Sequence, residues 1–249
     1  MATRGSYHGT AYRMLMLAWL LVTSSRLVLG VGNATTPLLD LSVLEELPAG
    51  ELVGIVQLNR KLTAAERDRL RFSLLSRPTA PDGSVPTRPL FTIDERRGMI
   101  RTAQRLDRDA LCRRRKLDES CYIRFDVAVR PMTHFRIVRV RVEVVDVNDN
   151  APVFARRAVA ASLHESSAVG TSLHVPPAAD ADSGVNGLVR YVMVTSSSAR
   201  NHFRLVERSR SDVRLVLTSP LDREATDRYQ LTIVAEDGGE PARSGSIQV

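Results

Sequence analysis

Aromatic residues make up only 5% of this 249-residue chain, and its one tryptophan, Trp19, lies near the N-terminus. Its cores must therefore be built mainly from Val, Leu and Ile. Hydrophobic residues at 43% and charged residues at 25% suffice for packed cores and exclude wholesale disorder. Cysteine is limited to Cys112 and Cys121, with eight residues between them. Zinc is disfavoured, because two further ligands at metal spacing are missing. No segment beyond the first thirty residues is long and apolar enough to cross a bilayer, which takes about 20 residues. From residue 40 onward no long run has helical periodicity. Catalytic signatures are missing too. None of His8, His134, His164, His174 and His202 sits in HExxH or beside G-x-S-x-G, and no Gly-rich phosphate loop appears. A calcium-dependent enzyme stays a competing class without a motif to carry it.

The N-terminus reads as a secretory leader over residues 1–30. Arg4 and Arg13 precede an apolar core, Met14 to Val22, and small residues follow with cleavage options at Val28-x-Gly30 or Gly30-x-Gly32. An uncleaved amphipathic or buried helix is the alternative. Asn33-Ala34-Thr35 is a glycosylation sequon just past it, at Asn33. In an oxidising compartment Cys112 and Cys121 read as a disulfide closing a short loop, with two free buried thiols as the alternative. Net charge is +7 and the isoelectric point near 10.1. Arg4, Arg13 and Arg26 belong to the leader, and most other basic residues are spread along strands. The exception, Arg113-Arg114-Arg115-Lys116, reads as a solvated loop, with a glycosaminoglycan or acidic partner as the alternative; nucleic acid is not expected.

Period-two alternation dominates the rest. Ile123, Phe125, Val127 and Val129 alternate with Arg124, Asp126, Ala128 and Arg130; Val138, Val140, Val142 and Val144 alternate mostly with polar residues. Val213, Leu215 and Leu217 form a third such series, and Tyr229, Leu231, Ile233 and Ala235 a fourth. Strands of this kind bury one face and solvate the other, as in antiparallel sandwiches. One helical turn is predicted near Thr63–Leu70, with Thr63 as N-cap and Glu66 completing a capping box. The pattern repeats. Glu45-x4-Gly50 recurs as Glu165-x4-Gly170, Phe91-Thr-Ile93 as Phe203-Arg-Leu205, and Leu106-Asp-Arg-Asp109 as Leu221-Asp-Arg-Glu224. Each unit is thus about 110–120 residues, the size of one seven-stranded sandwich. The expected organisation is all-β, with tandem seven-stranded Greek-key β-sandwiches over residues 31–148 and 149–249. The second is expected to break off inside its last strand, leaving an exposed edge.

Between the units stands Asp146-Val147-Asn148-Asp149-Asn150-Ala151-Pro152. Four carboxylate or carboxamide side chains in five residues make a poor strand and a good oxygen-rich linker for a hard cation. Calcium takes 6–8 oxygens, more than one linker supplies. Further candidates are Glu45, Asp107 with Asp109, Asp180 with Asp182, Asn186, and Asp237. Without a cation, carboxylates brought together repel and raise one another's pKa values.

The Asp-Val-Asn-Asp-Asn-Ala-Pro linker, the paired Leu-Asp-Arg-acid segments, Asp180-Ala-Asp182 with Asn186-Gly187, and Ala235-Glu-Asp-Gly238 together resemble cadherin repeats from about residue 38 to 249. The first repeat resembles those of protocadherins, with Glu45-Glu46-x-Pro48-x-Gly50 and a cysteine pair after Leu106–Asp109. The resemblance implies three calcium ions at the junction. Glu45, Asp107, Asp109 and Asp149, with Asp146 or the Val147 carbonyl, would hold two of them. Asn148, Asp180, Asp182, Asp237 and the carbonyls of Asn150 and Asn186 would hold the third, with Asp182 bridging. Asp109 stands where the family usually has Glu, and Glu46 is an alternative to Glu45. Glu165, Asp222 and Glu224 would form only half of a further site. Because Trp19 falls in the leader, the N-terminal tryptophan exchange of type I and II cadherins is not expected. The implied function is calcium-dependent homophilic cell–cell adhesion at the plasma membrane, with the same protein or related cadherins as partners and membrane attachment through a C-terminal part not in this sequence. A secreted form acting as soluble ligand or decoy is the alternative.

Overall fold

The computed structural model describes residues 38–58, 62–79, 83, 86–112, 120–131, 133, 135–195 and 197–249. The expected leader, the Asn33 sequon and the basic run at 113–116 lie outside the described residues. The chain forms two compact units that divide between Val145 and Asp146.

The first unit contains β1 (Leu38–Leu44), β2 (Leu52–Ile55), α1 (Ala64–Arg69), β3 (Arg71–Leu74), β4 (Phe91–Ile93), β5 (Met99–Thr102), α2 (Arg108–Cys112), β6 (Cys121–Arg130) and β7 (Arg136–Val145). One sheet has the order β1-β7-β6-β3 and the other β2-β5-β4. Neighbouring strands are antiparallel except β1, which runs parallel to β7 from Leu38 opposite Arg139 to Leu44 opposite Val145. The inward sets are the alternating ones: Leu39, Leu41 and Val43 of β1, Ile123 to Val129 of β6, and Val138 to Val144 of β7. Each such side chain taken from water contributes about 1.5–3 kcal/mol before the cost of ordering the chain. Phe91 and Phe125 stack across the two sheets with centroids 5.3 Å apart. Gly54 is a close approach, since a Cβ there would run into the Leu41 side chain.

The helical turn α1 forms as predicted. Thr63 accepts from the Glu66 N–H, and the Glu66 carboxylate accepts from the Thr63 N–H at 2.8 Å. Ala128 departs from its expected polar face. It is 1% exposed, flanked in register by Ser73 of β3 and Ile137 of β7. Cys112 and Cys121 are joined in a disulfide, Cα atoms 5.9 Å apart, tying the end of α2 to the start of β6.

The second unit contains β8 (Val153–Phe154), β9 (Ser172–Val175), β10 (Ala178–Ala179), β11 (Leu188–Thr195), α3 (Ser197–His202), β12 (Phe203–Ser209), β13 (Asp212–Leu217), β14 (Leu231–Asp237) and β15 (Ser244–Gln248). Its main sheets have the orders β11-β14-β15 and β12-β13-β9; β8 pairs with β10, and Ala158 bridges to Gln248 in parallel. The core is Val175, Phe203, Val213, Leu215, Leu217, Leu231, Ile233 and Ala235, with Ile247 of β15 fully buried among them. The last strand is therefore formed and paired over Ser244–Gln248. Tyr229 precedes β14 rather than opening it; it is half-buried and packs edge-on to Phe203, centroids 5.3 Å apart.

Candidate metal centre

In the first unit, Glu45 follows directly on β1, its N–H bonded to the Val145 carbonyl at 3.1 Å. Glu46 then turns the chain with φ of 63°, a left-handed conformation that costs a non-glycine residue about 1–2 kcal/mol. This reversal separates the two neighbouring acids. Glu45 is buried, and its Oε2 accepts from the Arg108 N–H at 2.6 Å, while Glu46 forms an ion pair with Arg105. The Glu45–Gly50 loop is pinned by Thr102, whose hydroxyl donates to the Pro48 carbonyl and accepts from the Glu51 N–H, both at 3.0 Å. Asp107 caps α2: its Oδ1 accepts from the Ala110 N–H at 2.8 Å. Asp109, half-buried, presents a carboxylate oxygen within 4.8 Å of one from Glu45. The Arg108 guanidinium lies 3.5 Å from Asp109.

The second unit gathers the other predicted ligands through its loops. Asp146 accepts from the Ser183 N–H at 3.0 Å and from the Asn186 side chain at 2.9 Å. Asn150 donates to Asp182 from both its backbone, at 3.1 Å, and its side chain, at 2.7 Å. The Asn150 side chain also donates to Asp149 at 2.7 Å, and the carbonyl of Val147 accepts from the Asp149 N–H at 2.7 Å. Asp180 Oδ1 accepts from the Asp182 N–H at 3.2 Å. Asp237 Oδ1 accepts from the N–H groups of Gly239, at 3.1 Å, and Arg243, at 2.9 Å. Asn148 donates to the Pro241 carbonyl at 2.7 Å. Gly239 fits because a Cβ at that position would run into the Asn148 side chain.

These bonds use one oxygen of Asp180 and one of Asp237, and the amide nitrogen of Asn148. The other oxygens, Asp180 Oδ2, Asp237 Oδ2 and Asn148 Oδ1, are buried without any hydrogen-bond partner. An acceptor left so costs about 1–3 kcal/mol, more when charged. All three are hard oxygen atoms with no donor aimed at them, the donor set that calcium takes. Burial raises the Asp180 carboxyl above its usual range, and the charges of Asp237 and Asp146 push the same way. Burial likewise lifts Asp182 to about 6 against the pull of the Asn150 donors, with Asp146 and Asp180 adding repulsion. Carboxylates are thus held together with too little positive charge among them, which a divalent cation would correct. Calcium fits this set.

Comparison with known proteins agrees with the geometry. Residues 159–249 match the family model of the cadherin domain. Human Protocadherin-11 X-linked is 33% identical over 210 residues, covering 82% of this chain and 15% of that protein. Bovine Protocadherin-18 is 38% identical over 162 residues, covering 64% of this chain and 14% of that protein. The chain belongs to the cadherin superfamily. Its repeats are homologous to those of protocadherins, and the crystal structure of Protocadherin Gamma C5 EC1-3 matches with 33% identity and a TM-score of 0.67, covering 84% of this chain and 63% of that one. The cadherin chain described here thus spans about 15% of the length of the first curated relatives it matches. Among the described residues no helix is long and apolar enough to cross a membrane.

Some participants have no signature in the sequence. The backbone N–H of Arg108 holds Glu45, and Arg243 clamps the linker by donating to the Asp149 carbonyl at 2.6 Å while its own N–H serves Asp237. The repeat-equivalent acids Glu165, Asp222 and Glu224 are exposed, in contrast to buried Glu45, and Asp222 is occupied as a turn acceptor for the Ala225 N–H at 3.1 Å.

Proposed function

We propose that this chain is part of a calcium-dependent cell–cell adhesion protein, with calcium stiffening the connection between repeats taken as 31–148 and 149–249. The observation that carries the reading is the trio of buried, partnerless oxygens on Asn148, Asp180 and Asp237. Asn148, Asp180, Asp182 and Asp237, with the carbonyls of Asn150 and Asn186, would hold one ion. Glu45, Asp107, Asp109 and Asp149, with Asp146 or the Val147 carbonyl, would serve the other two, with Asp182 bridging. The metal does no chemistry; it neutralises the acids and fixes the linker backbone. Homophilic pairing with the same protein on an apposed cell, or with related cadherins, follows from kinship with protocadherins. Display at the cell surface follows from the same kinship, while the leader at residues 1–30 and the sequon at Asn33 support a secretory route and glycosylation there.

Equilibrium calcium binding tests this. Extracellular modules bind calcium at about 10⁻⁴–10⁻³ M. Saturable binding in that range, weakened in Asp237→Asn and not displaced by equal magnesium, is expected. A chain that binds no calcium up to several-fold above that range would sink the proposal.

A further inference from the structure

The β12–β13 hairpin of the second unit carries charge of nearly one sign on its outward side. Phe203, Val213, Leu215 and Leu217 turn inward, so Arg204, Val206, Arg214 and Val216 turn outward. Register sets Arg214 opposite Val206 on one side and His174 of β9 on the other. Arg208 falls in the bulged stretch and Arg210 in the turn, both exposed. The nearby acids are Asp212 and Glu207. Asp212 is held by Arg214 at 2.8 Å, and Glu207 accepts from the Tyr191 N–H at 3.4 Å. Arg204, Arg208 and Arg210 have no carboxylate partner among the described residues. The Asp212 carboxyl is held below its usual range by its bond to Arg214, with the charges of Arg208 and His174 contributing. Those cations therefore share one neighbourhood.

Like charges gathered on one surface repel one another, and an anion seated among them offsets that repulsion. The hairpin is also held in shape. The Tyr191 hydroxyl, accepting from the Ala178 N–H, donates to the Arg210 carbonyl at 3.0 Å, and Ser209 accepts from the N–H groups of Ser211 and Asp212. Guanidinium groups carried on such a hairpin suit tetrahedral oxyanions, since an unpaired fork offers two parallel donors. None of the large exposed apolar side chains lies on this hairpin, so there is no wedge for lipid, and no Phe, Tyr or Trp of the hairpin faces outward to stack a base.

We propose that this face binds a sulfated glycosaminoglycan, with the unpaired guanidinium groups of Arg204, Arg208 and Arg210 meeting its sulfate groups and Arg214, held by Asp212, adding its charge beside them. The inference is independent of the calcium reading. The test is retention of the intact chain on immobilised heparin in calcium-containing buffer, against chemically desulfated heparin. The parent should stay bound above about 0.15 M salt, where weak long-range attraction is screened within about 8 Å. R208S/R210S should elute below that salt with unchanged thermal unfolding. R124S/R130S, an equal charge loss on β6, should elute with the parent. The proposal is overturned if the parent flows through, if both double variants shift alike, or if the desulfated matrix retains the chain equally. It is also overturned if replacing Arg113–Lys116 abolishes retention while R208S/R210S leaves it intact.

Discussion

Replacing Asp180 by Asn separates a metal ligand from an ordinary structural acid, because the sign of the effect depends on calcium. Without metal, Asp180 is a carboxylate whose charge is disfavoured by burial and by Asp237 and Asp146, and whose Oδ2 has no partner. Asn keeps the shape and the oxygen that accepts from Asp182, and removes the charge. In chelator the variant should therefore unfold at the same temperature as the parent or slightly above it. With 2 mM calcium and a dissociation constant of about 10⁻⁴–10⁻³ M, one bound ion adds about 0.6–1.8 kcal/mol by mass action. For a domain of this size that is a rise of about 3–14 °C. The parent should gain it and the variant should lose most of it, so that the two melting curves exchange order. Scanning calorimetry of both proteins, with calcium and with chelator, reads the result. A variant equally destabilised in both conditions would refute the argument, since Asp180 would then be acting through its hydrogen bond alone.

Other outcomes follow from the same geometry. Asp182 has a folded pKa of about 6, above its ordinary value of 3.8, so its contribution is fully present below about pH 4 and is lost as pH rises through about 6. In chelator, Asp182→Asn should flatten the fall in melting temperature over that window. With calcium the parent's trend should reverse, because the metal needs the deprotonated carboxylate. Gly239→Ala drives a Cβ into Asn148 and should cost about 1–3 kcal/mol in denaturant unfolding along with the calcium response; retention of full calcium affinity would contradict the packing described. Thr63→Ala removes the capping box of α1 and should cost about 0.5–2 kcal/mol, equally with and without calcium.

The strands were largely legible because one side of each is buried and period-two alternation records it. Val138, Val140, Val142 and Val144 are buried as the alternation requires. Ala128 breaks the pattern because parity does not set the exposure of a small side chain: between its longer register neighbour Ile137 and Ser73 it offers solvent little surface. The capping box was readable because both of its partners lie within three residues. The oxygen-rich loops showed which residues could serve a cation, but not which oxygens stay open. That depends on donors contributed by distant loops, such as Pro241 approaching Asn148 only through its carbonyl, and Arg243 occupying Asp149 and Asp237. The split between Glu45 and Glu46 likewise depends on one backbone angle that composition does not encode.

The parallel pairing of β1 with β7 also decides how the first unit bears load. The chain reaches Leu38 at one end of this ladder and leaves Val145 at the other. Seven residues at about 3.3 Å each put those points roughly 20 Å apart along the strands. Tension applied through the flanking chain therefore draws the two strands past each other along their length instead of peeling them apart. The hydrogen bonds of the ladder share that shear and must fail together, so the unit resists a pull along the chain while its sheets stay closed.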